Sequence, residues 1–96
     1  MTTKEHLLSC LAEECCEVGQ RVSKALRFGL DEIQAGQNLT NRERIVYEYT
    51  DLIAVFSLLA DMGIVDGNTN MKEFDSKQEK VLKYLEYARE NGTVID

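Results

Sequence analysis

Apolar side chains recur at intervals of three and four residues in three stretches of the chain, which is the spacing of amphipathic α-helices. The first stretch follows Thr2-x-x-Glu5, a capping-box sequence, and stops before Gly29, a residue type that commonly ends helices. Its apolar positions are Leu7, Leu8, Leu11, Cys15, Val18, Val22, Ala25 and Leu26. The pattern therefore predicts a first helix from Thr3 to Phe28.

Two further helices are predicted by the same reasoning. Thr40-x-x-Glu43 repeats the capping-box sequence, and the apolar positions after it predict a second helix from Asn41 to Met62. These positions are Ile45, Tyr49, Leu52, Phe56, Leu59 and Ala60. A third predicted helix begins near Asn70 and stops before Gly92. Its apolar stripe consists of Met71, Phe74, Val81, Leu85 and Ala88.

The connection from Leu30 to Asn41 predicts mainly a loop, because it contains Gly36 and two asparagines. Within it, Asp31 to Gln34 has a sequence compatible with one helical turn. No alternating strand pattern competes with the helical ones, and the chain contains no proline. The sequence thus predicts a single all-α domain over residues 1–96, with three main helices and a short fourth at most.

Composition limits the classes of partner. The net charge is −6 over 96 residues, which disfavours nucleic acid and anionic membrane surfaces as partners. The longest nearly apolar run, from Leu52 to Ala60, is too short to cross a bilayer, and the N-terminus does not resemble a signal peptide. We therefore expect a cytoplasmic protein without membrane partners. A chain of this size buries only about two-thirds of its unfolded surface, which favours self-association.

Two pairs of acidic residues lie beside the apolar stripes of the first two helices. They are Glu14-x-x-Glu17 on the first helix and Glu48-x-x-Asp51 on the second. Residues three apart are neighbours on a helix surface, so each pair presents two carboxylates side by side. If the two helices pack together, all four carboxylates converge.

Four carboxylates at close quarters repel one another unless a proton or a cation neutralises them. Oxygen ligands favour hard divalent cations, Mg²⁺ first and Mn²⁺ second. A di-iron carboxylate site is disfavoured because it needs several histidines, and His6 is the only histidine of the chain. The alternative is that the four acids only solvate the flanks of their helices.

The acidic pairs and their surroundings resemble a known family. The sequence LAEECCEV from Leu11 to Val18, followed by EYTDL from Glu48 to Leu52, resembles the MazG-like family of all-α nucleoside triphosphate pyrophosphohydrolases. The hallmark of that family is an ExxE pair followed by an ExxD pair. Residues 23–29 and 40–44 also look like members of this group, and the similarity spans residues 7–63.

The resemblance implies that Glu14, Glu17, Glu48 and Asp51 hold Mg²⁺, with Mn²⁺ as a substitute. It also implies hydrolysis of a ribo- or deoxyribonucleoside triphosphate between the α- and β-phosphates, which yields the monophosphate and pyrophosphate. One carboxylate takes a proton from the attacking water. Glu13 and Glu17 are both candidates for this general base, and the sequence does not choose between them.

Candidate substrate-binding residues lie beyond Glu17 on the same flank of the first helix and on the last helix. Family members tend to carry basic side chains in that last helix. The candidates for holding the phosphates are Arg21, Lys24, Lys77 and Lys80. For each lysine, a surface ion pair is the alternative. Phe28 is the candidate for contact with the base.

The resemblance also implies an assembly. Short members of the family complete a four-helix core with a second chain, so we expect a homodimer or a homotetramer. Two other functions remain open. One is a non-catalytic module that binds nucleotide or metal, and the other is a helical module for protein interaction.

Overall fold

The computed structural model describes all 96 residues and contains three α-helices and no strand. Helix α1 runs over Thr3–Phe28, α2 over Asn41–Asp61 and α3 over Met71–Glu90. The predicted all-α class is therefore confirmed. The bounds of α1 agree with the prediction, and α2 and α3 agree with it to within one or two residues.

Both predicted capping boxes fix the start of a helix. The Glu5 amide donates to Thr2 Oγ1 at 3.1 Å, and Glu5 Oε2 accepts a hydrogen bond from the Thr2 amide at 3.0 Å. Thr40 and Glu43 make the same reciprocal pair, with both distances 3.1 Å. Each box satisfies two backbone donors that the helix cannot pair internally, which is why four local residues determine where each helix begins.

Helices α1 and α2 pack together as an antiparallel hairpin, and hydrogen bonds hold the hairpin together at the end where the two helices are connected. The Asn41 side chain is 1 % exposed, and its Nδ2 donates to Gly29 O at 2.9 Å and to Glu32 Oε1 at 3.1 Å. The backbone adds bonds from Asn41 N to Glu32 O at 3.0 Å and from Arg42 N to Leu30 O at 2.8 Å. One buried amide thus fixes the end of α1 beside the start of α2.

The helical turn predicted for Asp31 to Gln34 is wrong. Ile33 instead pairs with Thr40 in a single antiparallel bridge. The reason is that Glu32 O accepts from the first residue of α2, which holds this part of the connection extended along the helix start. No short fourth helix forms.

The chain has almost no core of its own. Ala25 and Leu59 are its only buried hydrophobic residues. Helix α3 packs against neither α1 nor α2 and has no buried residue, so one chain does not contain a four-helix core. Four apolar residues of α3 are more than half exposed, namely Met71, Phe74, Val81 and Leu82. None of the three helices combines the length and the apolar character needed to cross a membrane.

Candidate metal centre

Three of the predicted acidic residues meet where α1 and α2 face each other. Glu14 and Glu17 lie one turn apart on α1, and Glu48 approaches them from α2. One carboxylate oxygen from each residue lies within 4.8 Å of the other two, and all three residues are half-buried. We call Glu14, Glu17 and Glu48 the acidic group.

The other two acidic candidates lie outside this group. Asp51 follows Glu48 by one turn of α2 and is exposed, and its carboxylate is not among the converging oxygens. Glu13 precedes Glu14 on α1 and is also exposed. The structure therefore brings together three of the four predicted ligands, and it leaves Glu13 at the solvent side of the group.

Repulsion within the acidic group affects the pKa of one of its members. The charge of Glu14, then partial burial and the charge of Glu13, raise the pKa of Glu17 above its ordinary value. The two ion pairs of the chain, Arg42–Asp31 and Arg89–Glu86, lie elsewhere. No protein cation is paired with the group.

An orphaned oxygen makes the acidic group suited to a cation. Glu14 Oε2 is buried and has no hydrogen-bond partner. A buried acceptor without a partner is rare because it has lost its water and gained nothing in exchange. The available donors are all carboxylate oxygens, which are the ligands preferred by Mg²⁺ and Mn²⁺. The residues present therefore fit a hard divalent cation.

Arg21 is buried rather than projecting from the flank of α1. It is 6 % exposed, and its Nε and Nη1 have no hydrogen-bond partner. It lies one helical turn beyond Glu17, and it forms no ion pair. A buried guanidinium without an acceptor leaves an uncompensated positive charge on α1, four residues after Glu17.

Lys24 and Phe28 share a pocket between the end of α1 and the connecting loop. The pocket has a volume of about 350 Å³ and is completed by Glu32, Ile33, Gln34 and Ala35. No sequence pattern marks these four loop residues as a site. Glu32 and Gln34 are held there by tertiary hydrogen bonds from α2, and a loop without periodicity carries no signal of such bonds.

The two basic candidates on α3 are not near the acidic group within one chain. Lys77 and Lys80 are exposed on a helix that packs against neither α1 nor α2. A second cavity, of about 490 Å³, lies open along the hairpin. Most of its lining is apolar, namely Leu11, Cys15, Tyr49, Leu52, Ile53 and Phe56.

Comparison of the chain with protein-family models, with curated proteins and with solved structures gives no match. The likeness to MazG-like enzymes therefore stays an expectation drawn from the residues.

Proposed function

We propose that this protein is a Mg²⁺-dependent nucleoside triphosphate pyrophosphohydrolase that releases a nucleoside monophosphate and pyrophosphate. The observation that carries the proposal is the convergence of Glu14, Glu17 and Glu48 around a buried oxygen that lacks any partner. An acidic group without a protein cation needs a neutralising ligand. A metal–triphosphate complex supplies both the cation and the reacting phosphorus.

The residues of the acidic group would hold Mg²⁺, with Mn²⁺ as a substitute and Asp51 as a further ligand. When bound, the cation offsets charge on the phosphate oxygens and makes the α-phosphorus more electrophilic. Glu17 or Glu13 accepts the proton of the attacking water. Arg21, one turn beyond Glu17, contributes positive charge toward the substrate phosphates.

Self-association belongs to the same proposal. A chain whose only buried hydrophobic residues are Ala25 and Leu59 needs another surface to cover its apolar faces. The stripe on α3 and the open apolar cavity of the hairpin have matching character, so a second copy suits both. In a homodimer or homotetramer built this way, Lys77 and Lys80 approach the acidic group of a neighbouring copy and assist the leaving pyrophosphate.

The direct test of the activity is pyrophosphate release from a panel of ribo- and deoxyribonucleoside triphosphates, with Mg²⁺ and then with EDTA. We expect release with Mg²⁺ and none with EDTA. Glu48→Gln should lower the rate more than about a hundredfold, since even outer-shell partners of a metal cost ten- to hundredfold. Glu79→Gln, on the exposed surface of α3, is the matched control and should leave the rate unchanged.

Two results would contradict the proposal. Release of orthophosphate would mean that a different bond is cut. An absence of release from folded, associated protein would favour a non-catalytic module that binds nucleotide or metal, or one that binds another protein.

The test of self-association is the mass in solution, measured by light scattering. Val81→Glu adds a charge to the apolar stripe of α3, and Ser76→Glu adds the same charge to the opposite face. We expect wild type and Ser76→Glu to have the same oligomeric mass and Val81→Glu a lower one. A monomeric wild type at micromolar concentration would refute this part.

A further inference from the structure

The structure assigns a nucleobase site to the pocket between the end of α1 and the connecting loop, which we call the loop pocket. The inference rests on the proposed function, because it takes the substrate to be a nucleotide. At about 350 Å³ the loop pocket falls in the lower part of the usual range for small-molecule sites. It joins a flat aromatic ring, Phe28, to two polar side chains, Glu32 and Gln34.

The loop pocket lies in line with the acidic group. Glu17, Arg21, Lys24 and Phe28 follow one another at spacings of four, three and four residues, so they lie on one face of α1. The rise along the helix axis from Glu17 is about 10 Å to Lys24 and about 16 Å to Phe28, and long helix side chains such as Phe28 lean back toward the N-terminus. A nucleotide spans a comparable distance from its α-phosphate to the far edge of its base. An α-phosphate at the acidic group therefore leaves the base at the loop pocket.

The polar side chains of the loop pocket are fixed before any ligand arrives. Asn41 Nδ2 donates to Glu32 Oε1 at 3.1 Å, which leaves Glu32 Oε2 free to accept. Arg44 Nη1 donates to Gln34 Oε1 at 3.3 Å, which leaves the amide NH₂ of Gln34 free to donate. A fixed acceptor beside a fixed donor suits the hydrogen-bonding edge of a base.

Only one face of the Phe28 ring is open to a ligand. The guanidinium of Arg27 lies over the Phe28 ring, 4.9 Å from its centroid. With that face covered, a planar ligand stacks on the remaining one. Base–aromatic stacking of this kind is tolerant of base identity, so discrimination falls to Glu32 and Gln34.

Other ligand classes fit the loop pocket less well. Phosphate is disfavoured because the Glu32 carboxylate repels it and offsets the charge of Lys24. A wholly apolar ligand is disfavoured because it would leave Glu32 Oε2 and the Gln34 amide without partners. Among bases, those with an amino group suit the carboxylate. Thymine and uracil flank their ring N–H with two carbonyl oxygens, which the carboxylate repels.

The test uses the full-length protein and two variants of the loop pocket. Glu32→Gln keeps an acceptor for Asn41 but replaces the free oxygen with an NH₂ donor, and Gln34→Ala removes the donor. Glu32→Gln should raise KM for amino-bearing nucleoside triphosphates about tenfold or more, the size of one hydrogen bond to a charged group, and Gln34→Ala about two- to tenfold, the size of a neutral one, with kcat nearly unchanged. Gln37→Ala, in the same loop but outside the pocket, is the matched control. A thermal melt of each variant verifies that it is folded.

A second measurement does not depend on turnover. Adenosine, cytidine, guanosine and uridine, which carry no phosphate, are titrated into the protein by NMR with EDTA present. Binding of the amino-bearing nucleosides that weakens in Gln34→Ala supports the assignment, even if no triphosphate is hydrolysed. If Glu48→Gln abolishes hydrolysis while both loop variants match wild type in KM and in nucleoside binding, the base lies elsewhere and the assignment is overturned.

Discussion

The buried amide of Asn41 is predicted to hold the hairpin closed, and Asn41→Ala tests this. The substitution deletes the bonds of Nδ2 to Gly29 O at 2.9 Å and to Glu32 Oε1 at 3.1 Å. A neutral hydrogen bond contributes about 1 kcal/mol and one to a charged group about 1.5–3 kcal/mol. Their sum is about 3 kcal/mol, and the better helix propensity of alanine offsets about 0.5 kcal/mol of it. We therefore expect a net loss of about 2–3 kcal/mol in the free energy of unfolding.

A loss of this size is large for a small domain. At about 4–8 °C per kcal/mol, it corresponds to a fall of roughly 10–20 °C in the melting temperature. The assay is urea and thermal unfolding followed by circular dichroism at 222 nm. Protein concentration is held fixed, because any self-association makes the apparent stability depend on it. Asn41→Ala also bears on function, because the Asn41 side chain holds Glu32 in the loop pocket.

Two further variants make the reasoning refutable. Asn38→Ala changes an exposed asparagine of the same connection and should cost less than about 0.5 kcal/mol. Asn41→Asp keeps the size of the side chain but turns an acceptor toward the Glu32 carboxylate, so it should cost at least as much as alanine. If Asn41→Ala proves no more harmful than Asn38→Ala, the two hydrogen bonds do not hold the hairpin together.

Three other outcomes are expected. Mg²⁺ at a hundred times its dissociation constant should stabilise the native protein by about 2.7 kcal/mol in thermal melts, and Glu48→Gln should lose this gain. The pKa of Glu17 is raised in the metal-free native state because the charge of Glu14 repels its carboxylate. This repulsion destabilises the native protein at neutral pH, and the loss of stability disappears as pH falls through the raised pKa toward 4.5. Melts should therefore find Glu17→Gln more stable than wild type at neutral pH, with the gap closing in acid; a gap independent of pH would contradict this. Leu59→Ala leaves a cavity where the one fully buried leucine side chain stood, and it should lower the free energy of unfolding in urea by about 2–4 kcal/mol. A loss below about 1 kcal/mol would mean that the side chain is not close-packed.

The helices were predictable because their signals are local. Thr2 with Glu5, and Thr40 with Glu43, are only three residues apart, so the sequence alone reveals where the first two helices begin. The same holds for the side-by-side arrangement of Glu14 and Glu17. What brings Glu48 to them is the register of the hairpin, and Asn41 fixes that register across nine and twelve residues.

The remaining features of the site depend on tertiary contacts, which produce no periodic pattern in the sequence. Asp51 lies on the next turn after Glu48, where the register turns it to solvent. Spacing alone places Arg21 on the flank of α1, yet its guanidinium is buried in the fold. The loop pocket needs Glu32 and Gln34, whose positions are determined by hydrogen bonds from α2 rather than by their neighbours in sequence. Helical spacing predicts which residues are neighbours within one helix, whereas these residues are positioned by contacts between different elements.

The surface that covers helix α3 cannot be predicted from the sequence. Its apolar stripe is as readable as those of α1 and α2, but a stripe predicts only that something covers it. Within the chain neither α1 nor α2 does, and Phe74 and Val81 stay half exposed. An apolar stripe is buried equally well against its own chain or against a second copy, because the hydrophobic effect depends on the area removed from water and not on connectivity. The assembly therefore determines whether Lys77 and Lys80 reach the acidic group, because within one chain α3 packs against neither α1 nor α2.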